Sequence, residues 1–288
     1  MKNTVISYGL ILTLCVVNFC CKQRNEETAP IPSCRIVRVV LKSSSTRDRP
    51  IRDEETIRVG GKDVKVSFYK ESFYTYDPQG RLIREKDRVV TGDSTVVGYV
   101  YSPGLVLKQT TSYSRQLGTQ VFNDSIVLNT QGLAESKFYQ QKVKYDSEGY
   151  LTQQTVQTSY GQYIGQVVNG NLIKEYKELD WLYIYNYSYD LTRAGQPPIH
   201  IFLGKGSRNL LMHEAIERTD FNRPLVYSTD YSYKFDEEGR VKRKIAHSEK
   251  RTGWPYDAKV HTVVFDYEYD CSSSSLHFKL PPKNAEQF

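Results

Sequence analysis

The sequence predicts an all-β fold: an antiparallel up-and-down meander of β-hairpins forming a strongly curved sheet or barrel, preceded by an N-terminal signal segment. Three observations predict it. One phrase occurs three times: Tyr74-Thr-Tyr-Asp-Pro-Gln-Gly-Arg-Leu82, Val143-Lys-Tyr-Asp-Ser-Glu-Gly-Tyr-Leu151 and Tyr233-Lys-Phe-Asp-Glu-Glu-Gly-Arg-Val241. Aromatic residues recur at period two, at Tyr183, Tyr185, Tyr187 and Tyr189, at Tyr231, Tyr233 and Phe235, and at Phe265, Tyr267 and Tyr269. Every second side chain of a strand points the same way, so each run lays an aromatic stripe on one face. Long helical periodicity is absent, while Tyr, which favours a pleated surface, occurs 23 times.

From the N-terminus, residues 1–21 read as a lipoprotein-type export signal. Lys2 supplies the positive start and an apolar stretch runs from Ile6 to Phe19. That stretch is short for a bilayer span, which needs roughly 20 residues. It ends in Cys20-Cys21-Lys22 and resembles the bacterial lipoprotein pattern, in which a Cys is lipidated and becomes the first mature residue. Cys21, preceded by a smaller residue than Cys20 is, is the expected lipidation site, with Cys20 the alternative. The resemblance implies an exported protein, lipid-anchored in the bacterial cell envelope at the outer membrane. Residues 22–33, charged and holding two Pro, read as a flexible tether. Residues 34–280 are then ample for a single all-β domain, with 281–288 as a tail.

Within that domain each phrase writes a hairpin. Asp-x-x-Gly fits a three-residue loop built on a type I turn and a following Gly bulge. The Asp side chain can bond turn amides, and Gly takes the positive φ that a Cβ resists. The count sets Tyr76 opposite Leu82, Tyr145 opposite Leu151 and Phe235 opposite Val241. Asp77–Arg81 and Asp236–Arg240 are charged pairs; the middle copy has Tyr150 instead. Weaker turns at Gly60–Asp63, Thr91–Asp93, Ser102–Gly104, Asn129–Gly132 and Asn169–Asn171 give roughly 12–15 strands at that spacing. Residues 191–224 break the rhythm and read as a long crossover, with one helical turn before a strand near 210–218. Cys34 opens the first strand and Cys271 closes the last, and an even pair in an exported chain reads as a disulfide. Two separately packed thiols are the alternative.

The hairpin phrase resembles the YD repeat of Rhs and teneurin shells, though its Asp residues at 77, 146 and 236 are far apart. With Gly204-Lys-Gly-Ser-Arg-Asn-Leu210, it is also similar to the DUF4595 domain of Bacteroidota lipoproteins. That resemblance covers Cys34 to Cys271. It implies a porin-like fold and an envelope address, and it supplies no activity.

Chemistry is hard to find in the chain. His213-Glu-Ala-Ile-Glu217 has Glu where a zincin places its second His, and Gly204-Lys-Gly-Ser207 lacks the spacing of a phosphate loop. No Gly-x-Ser-x-Gly elbow occurs, and no cofactor or metal is expected. Net charge is +6 but spread along the chain, so a nucleic-acid partner is not expected. The function expected is a non-enzymatic binding or structural module of the envelope. Two alternatives stand beside it. Glycan could stack on an aromatic face made of Trp181, Tyr183, Tyr185, Tyr187 and Trp254, or a carboxylate pair could hydrolyse a glycoside. The partners expected are a membrane, reached through the lipid anchor, and a glycan or envelope protein. Mean hydropathy is −0.55, which argues against strands with an apolar outer band.

Overall fold

A computed structural model describes residues 34–45, 51–137, 141–158, 161–178, 182–219, 225–252 and 261–271. Cys20, Cys21, the tether, Trp181, Trp254 and the tail lie outside the described residues. The strands in order are β1 (Arg35–Ser43), β2 (Glu55–Val59), β3 (Lys62–Tyr76), β4 (Leu82–Val89), β5 (Ser94–Ser102) and β6 (Leu105–Ser114). Next come β7 (Gly118–Val127), β8 (Ser136–Lys137), β9 (Gln141–Tyr145), β10 (Leu151–Thr158), β11 (Gly161–Val168) and β12 (Asn171–Glu178). The last are β13 (Leu182–Ala194), β14 (Asn209–Thr219), β15 (Leu225–Phe235), β16 (Val241–Thr252) and β17 (His261–Asp270). A single 3-10 turn, Ile201–Leu203, sits between β13 and β14.

All named pairs are antiparallel, and the fold class expected from the sequence is the one observed. Pairing runs β3 to β7 in order, then β9 to β17 in order. β1 pairs with β17 on one side and β3 on the other, so the sheet rolls round on itself. It is not zipped shut. Between β7 and β8 the ladder thins to a single bridge, Leu128–Ala134, beside one bond from Glu135 N–H to the Val127 carbonyl. β8 then pairs with β9. The count exceeds the expected 12–15 partly because β2 and β8 are short strands.

The three hairpins form as the phrase dictates. Tyr76 pairs with Leu82, Tyr145 with Leu151 and Phe235 with Val241. In each turn the Gly N–H donates to the Asp carbonyl, and the Asp carboxylate accepts the N–H four residues on. Gly80, Gly149 and Gly239 hold φ of 83°, 85° and 79°, where a Cβ is penalised. Asn129–Gly132 makes the same bonds, with Asn in place of Asp. It is a fourth copy of the turn, and it stands at the β7–β8 seam.

The strand that leaves a turn usually carries a bulge. One residue is left over at Ile83 in β4, Thr152 in β10, Ile173 in β12, Met212 in β14 and Lys242 in β16, and Val37 is left over in β1. A bulge frees a carbonyl from the ladder and bends its strand, which suits the rim of a rolled sheet. Five of the residues just before a bulge have that carbonyl bonded by a tyrosine hydroxyl from another strand. Tyr76 donates to Ile36, Tyr101 to Leu82, Tyr189 to Leu172, Tyr233 to Leu211 and Tyr269 to Val241, at 2.6–2.9 Å. This answers both the orphan acceptor and the need of a half-buried phenol for a partner.

Strand alternation brings these turns and bulges to one end of the ring, where β1 begins and β17 finishes. Cys34 and Cys271 meet there, with Sγ atoms 2.11 Å apart in a disulfide. Arg240 of the third hairpin donates to both sulfurs and to Asp236. At the other end, β2 and the start of β3 fold over the face opposite the tyrosines. Ile57 and Val66 bury against Ile245 and Val264, and Glu55, Lys42, Arg243 and Asp266 form an ion cluster beside them.

Candidate functional site

The crossover expected at 191–224 is shorter than that, because β13 continues to Ala194 and β14 begins at Asn209. Residues 195–208 do not stay outside. Phe202 is 3% exposed and packs in one cluster with Leu82, Val97, Tyr99, Val106, Ile126 and Ala134. Its ring lies 5.7 Å from Tyr99 and 6.3 Å from Tyr101. The Phe202 carbonyl accepts from Ala134 N–H, Lys205 N–H donates to Gly149, and Arg208 N–H donates to Gly170. Tyr145 packs so close to Gly204 that an added Cβ would stand 2.4 Å from its ring. Ser207 Oγ lies 3.1 Å from the Tyr189 hydroxyl, and Gln196 lines one cavity with Tyr269 of β17. One segment thus touches β5, β9, β13 and β17 together with turns on three sides. It can do so only from inside the ring, across the mouth at the Cys34 end.

Glycine makes this path passable. Gly204 sits at φ 81°, and at Gly195 a Cβ would meet the Ser207 carbonyl at 2.1 Å. Two cavities flank the segment. One, of about 390 Å³, lies against β10–β12 and includes Leu151, Leu172 and Lys205. The other, of about 340 Å³, includes Phe235, Arg240, Tyr269 and Cys34.

The inner wall carries the tyrosine stripes, and carboxylates stand among them. Tyr187 donates to Glu175 at 3.1 Å and Tyr231 to Glu214 at 2.8 Å. Lys177 approaches Glu175 at 3.5 Å and its ammonium lies 4.0 Å from the Tyr185 ring centroid. Lys244 lies over Phe265 and Tyr231, and burial lowers its pKa against the pull of Glu214. His200 contacts Glu85 at 3.3 Å and Tyr99 at 3.1 Å. Burial pushes the Glu85 carboxyl up, but His200 and Lys70 outweigh it and the net shift is down. Asp87 takes Ser72 and Lys70. Burial raises the phenols of Tyr74, Tyr101 and Tyr145 to about 12, and those of Tyr99, Tyr187, Tyr231 and Tyr233 higher still.

Of the expected ligand face, Tyr183, Tyr185 and Tyr187 share the inner side of β13, with the Tyr185 and Tyr187 rings stacked at 6.4 Å. A glycan meeting them would have to enter the ring. Sequence reasoning missed Glu85, Glu175, Glu214 and Lys244. Their only signal was a charge at an inward position of a strand, which becomes visible once the tyrosines define that side. Among the described residues no group of three or more His, Cys, Asp or Glu could hold a metal, and no helix is long and apolar enough to cross a membrane.

No family model matches the sequence, so its likeness to the DUF4595 and YD-repeat families remains a likeness of phrases. No curated protein matches it either. Among solved structures it is similar to a porin-like protein from Bacteroides uniformis at a TM-score of 0.37 and 13% identity, over 82% of this chain and 98% of that one. At that score the likeness bears no functional weight.

Proposed function

We propose that this chain is an exported envelope protein, lipid-anchored through Cys21 at the outer membrane, whose folded part is a non-enzymatic binding module. One observation carries the reading: residues 195–208 cross one mouth of the rolled sheet and anchor there through Phe202. That leaves a cup with a phenolic and carboxylate wall rather than an open channel. The inner carboxylates support a non-catalytic role. Glu85, Asp87, Glu175 and Glu214 are each tied to a Tyr, His, Ser or Lys of the wall. A glycosidase instead needs an acid and a base held for the substrate.

Two experiments test the reading. Metabolic labelling with an alkynyl fatty acid should mark the full-length chain and fail in Cys21→Ala; label retained there and lost in Cys20→Ala would move the site by one residue. Incubation with p-nitrophenyl glycosides should release no nitrophenol. Hydrolysis that Glu175→Gln or Glu214→Gln abolishes would overturn the non-enzymatic reading.

A further inference from the structure

We propose that the 390 Å³ cavity between the crossing segment and β10–β12 binds an amphipathic carboxylate of the fatty-acid class. This deepens the binding-module reading and rests on it. The volume falls within the roughly 300–1,000 Å³ of small-ligand sites. The β10–β12 wall contributes Leu151, Val167 and Leu172, and the segment contributes Pro198, Ile199 and Leu203. These are aliphatic surfaces, suited to a methylene chain that leaves water on binding.

The polar side of the cavity is of one kind. Lys205 lines it, lies 4.9 Å from the Tyr150 ring centroid, and forms no ion pair among the described residues. Gly206 and Ser207 follow, and their N–H groups have no protein acceptor among the described residues. His200 at the same cavity already faces Glu85. The cavity therefore has an exposed cation without an ion-pair partner at its rim, beside two residues whose N–H groups have no protein acceptor among the described residues, and none of its lining residues is an Asp or Glu. A site built this way accepts a single anionic head and a short apolar body. It gives a cationic head nothing to pair with.

Isothermal titration below micelle-forming concentrations, with decanoate, decanol and decyltrimethylammonium, tests the proposal. Decanoate should bind, decanol should bind about tenfold more weakly, and the ammonium should give no saturable signal. Lys205→Met keeps the stem, removes the charge and should bring decanoate down to the level of decanol. Leu172→Arg, checked for folding by circular dichroism, should abolish both. Equal binding of all three heads, binding unaffected by Lys205→Met, or no decanoate binding would each overturn the proposal. Amide exchange across 195–208 separates the two readings. A protected segment without decanoate binding sinks the ligand class alone, whereas an unprotected segment sinks the cup itself.

Discussion

At the scale of single residues, the recurring event is a tyrosine hydroxyl meeting the carbonyl that a bulge has freed. Removing such a hydroxyl strands a partly buried acceptor, at a cost of about 1–2 kcal/mol. Tyr233→Phe should therefore lower unfolding stability by that amount in urea titration, because Leu211 loses its donor. Tyr113→Phe, at a ring that is 47% exposed, should change it by less than about 0.5 kcal/mol. Equal effects at the two positions would remove the bulge-and-tyrosine account. Buried phenols, Tyr101 of the bulge set among them, also set an alkaline limit. Burial holds Tyr74, Tyr101 and Tyr145 protonated to about 12, above the ordinary value near 10. A raised folded pKa contributes stability that is complete below about pH 10 and is lost as pH climbs through 12. Phenolate absorbance from this buried set should appear only together with unfolding, as pH approaches 12. At the acid end the sign reverses. Hydrogen bonding by Arg243 and then Lys42 outweighs burial and lowers Glu55 from 4.5 to about 2, so its contribution is present above pH 4.5 and lost as pH falls through 2.

At the scale of elements, the turns and the crossing segment were unequally legible. Turn chemistry is local, so Asp77, Asp146 and Asp236 with their glycines specify both turn type and register in the sequence itself. The Asn129 copy was legible only as a weak turn, since no aromatic precedes it: Leu128 stands there. The break at Gly195-Gln-Pro-Pro198 and a helical turn were also legible, but the path of the segment was not. Its destination depends on Phe202 finding Tyr99, Val106 and Ala134, which are distant in sequence. The inner acids and Lys244 were hidden for the same reason. A charge on a strand reads as solvated until the sheet curls around it. The segment's fit makes a sharp prediction. Gly204→Ala combines positive φ with a clash against the Tyr145 ring and the Gly149 carbonyl at 2.9 Å, so it should cost well over the roughly 1–2 kcal/mol of backbone strain alone. Gly239→Ala has the same sign of φ and nothing within 4 Å, so it should cost the strain only. Thermal melts of the two variants give the comparison, and a smaller loss at Gly204 would place the segment elsewhere.

At the scale of the whole molecule, the sheet returns to its first strand and is fastened there by covalent and ionic means. Cys34 and Cys271 are 237 residues apart in sequence, so their bond restrains nearly the whole unfolded domain. Replacing both by Ser should cost about 2–4 kcal/mol while leaving the folded β signal intact, because the β1–β17 ladder remains. The weak place is the β7–β8 seam, where one bridge, the Glu135–Val127 bond and the Ala134–Phe202 bond hold the ring together. The crossing segment thereby supports the seam as well as covering the mouth. Hydrogen–deuterium exchange over residues 195–208 and 134, in wild type and in Phe202→Ala, tests this central claim most directly. The account predicts slow exchange at Ala134, Lys205 and Arg208 in wild type, and fast exchange at all three in the variant while the β15–β17 strands stay protected. Exchange at solvent rates across 195–208 in the wild-type protein would contradict it.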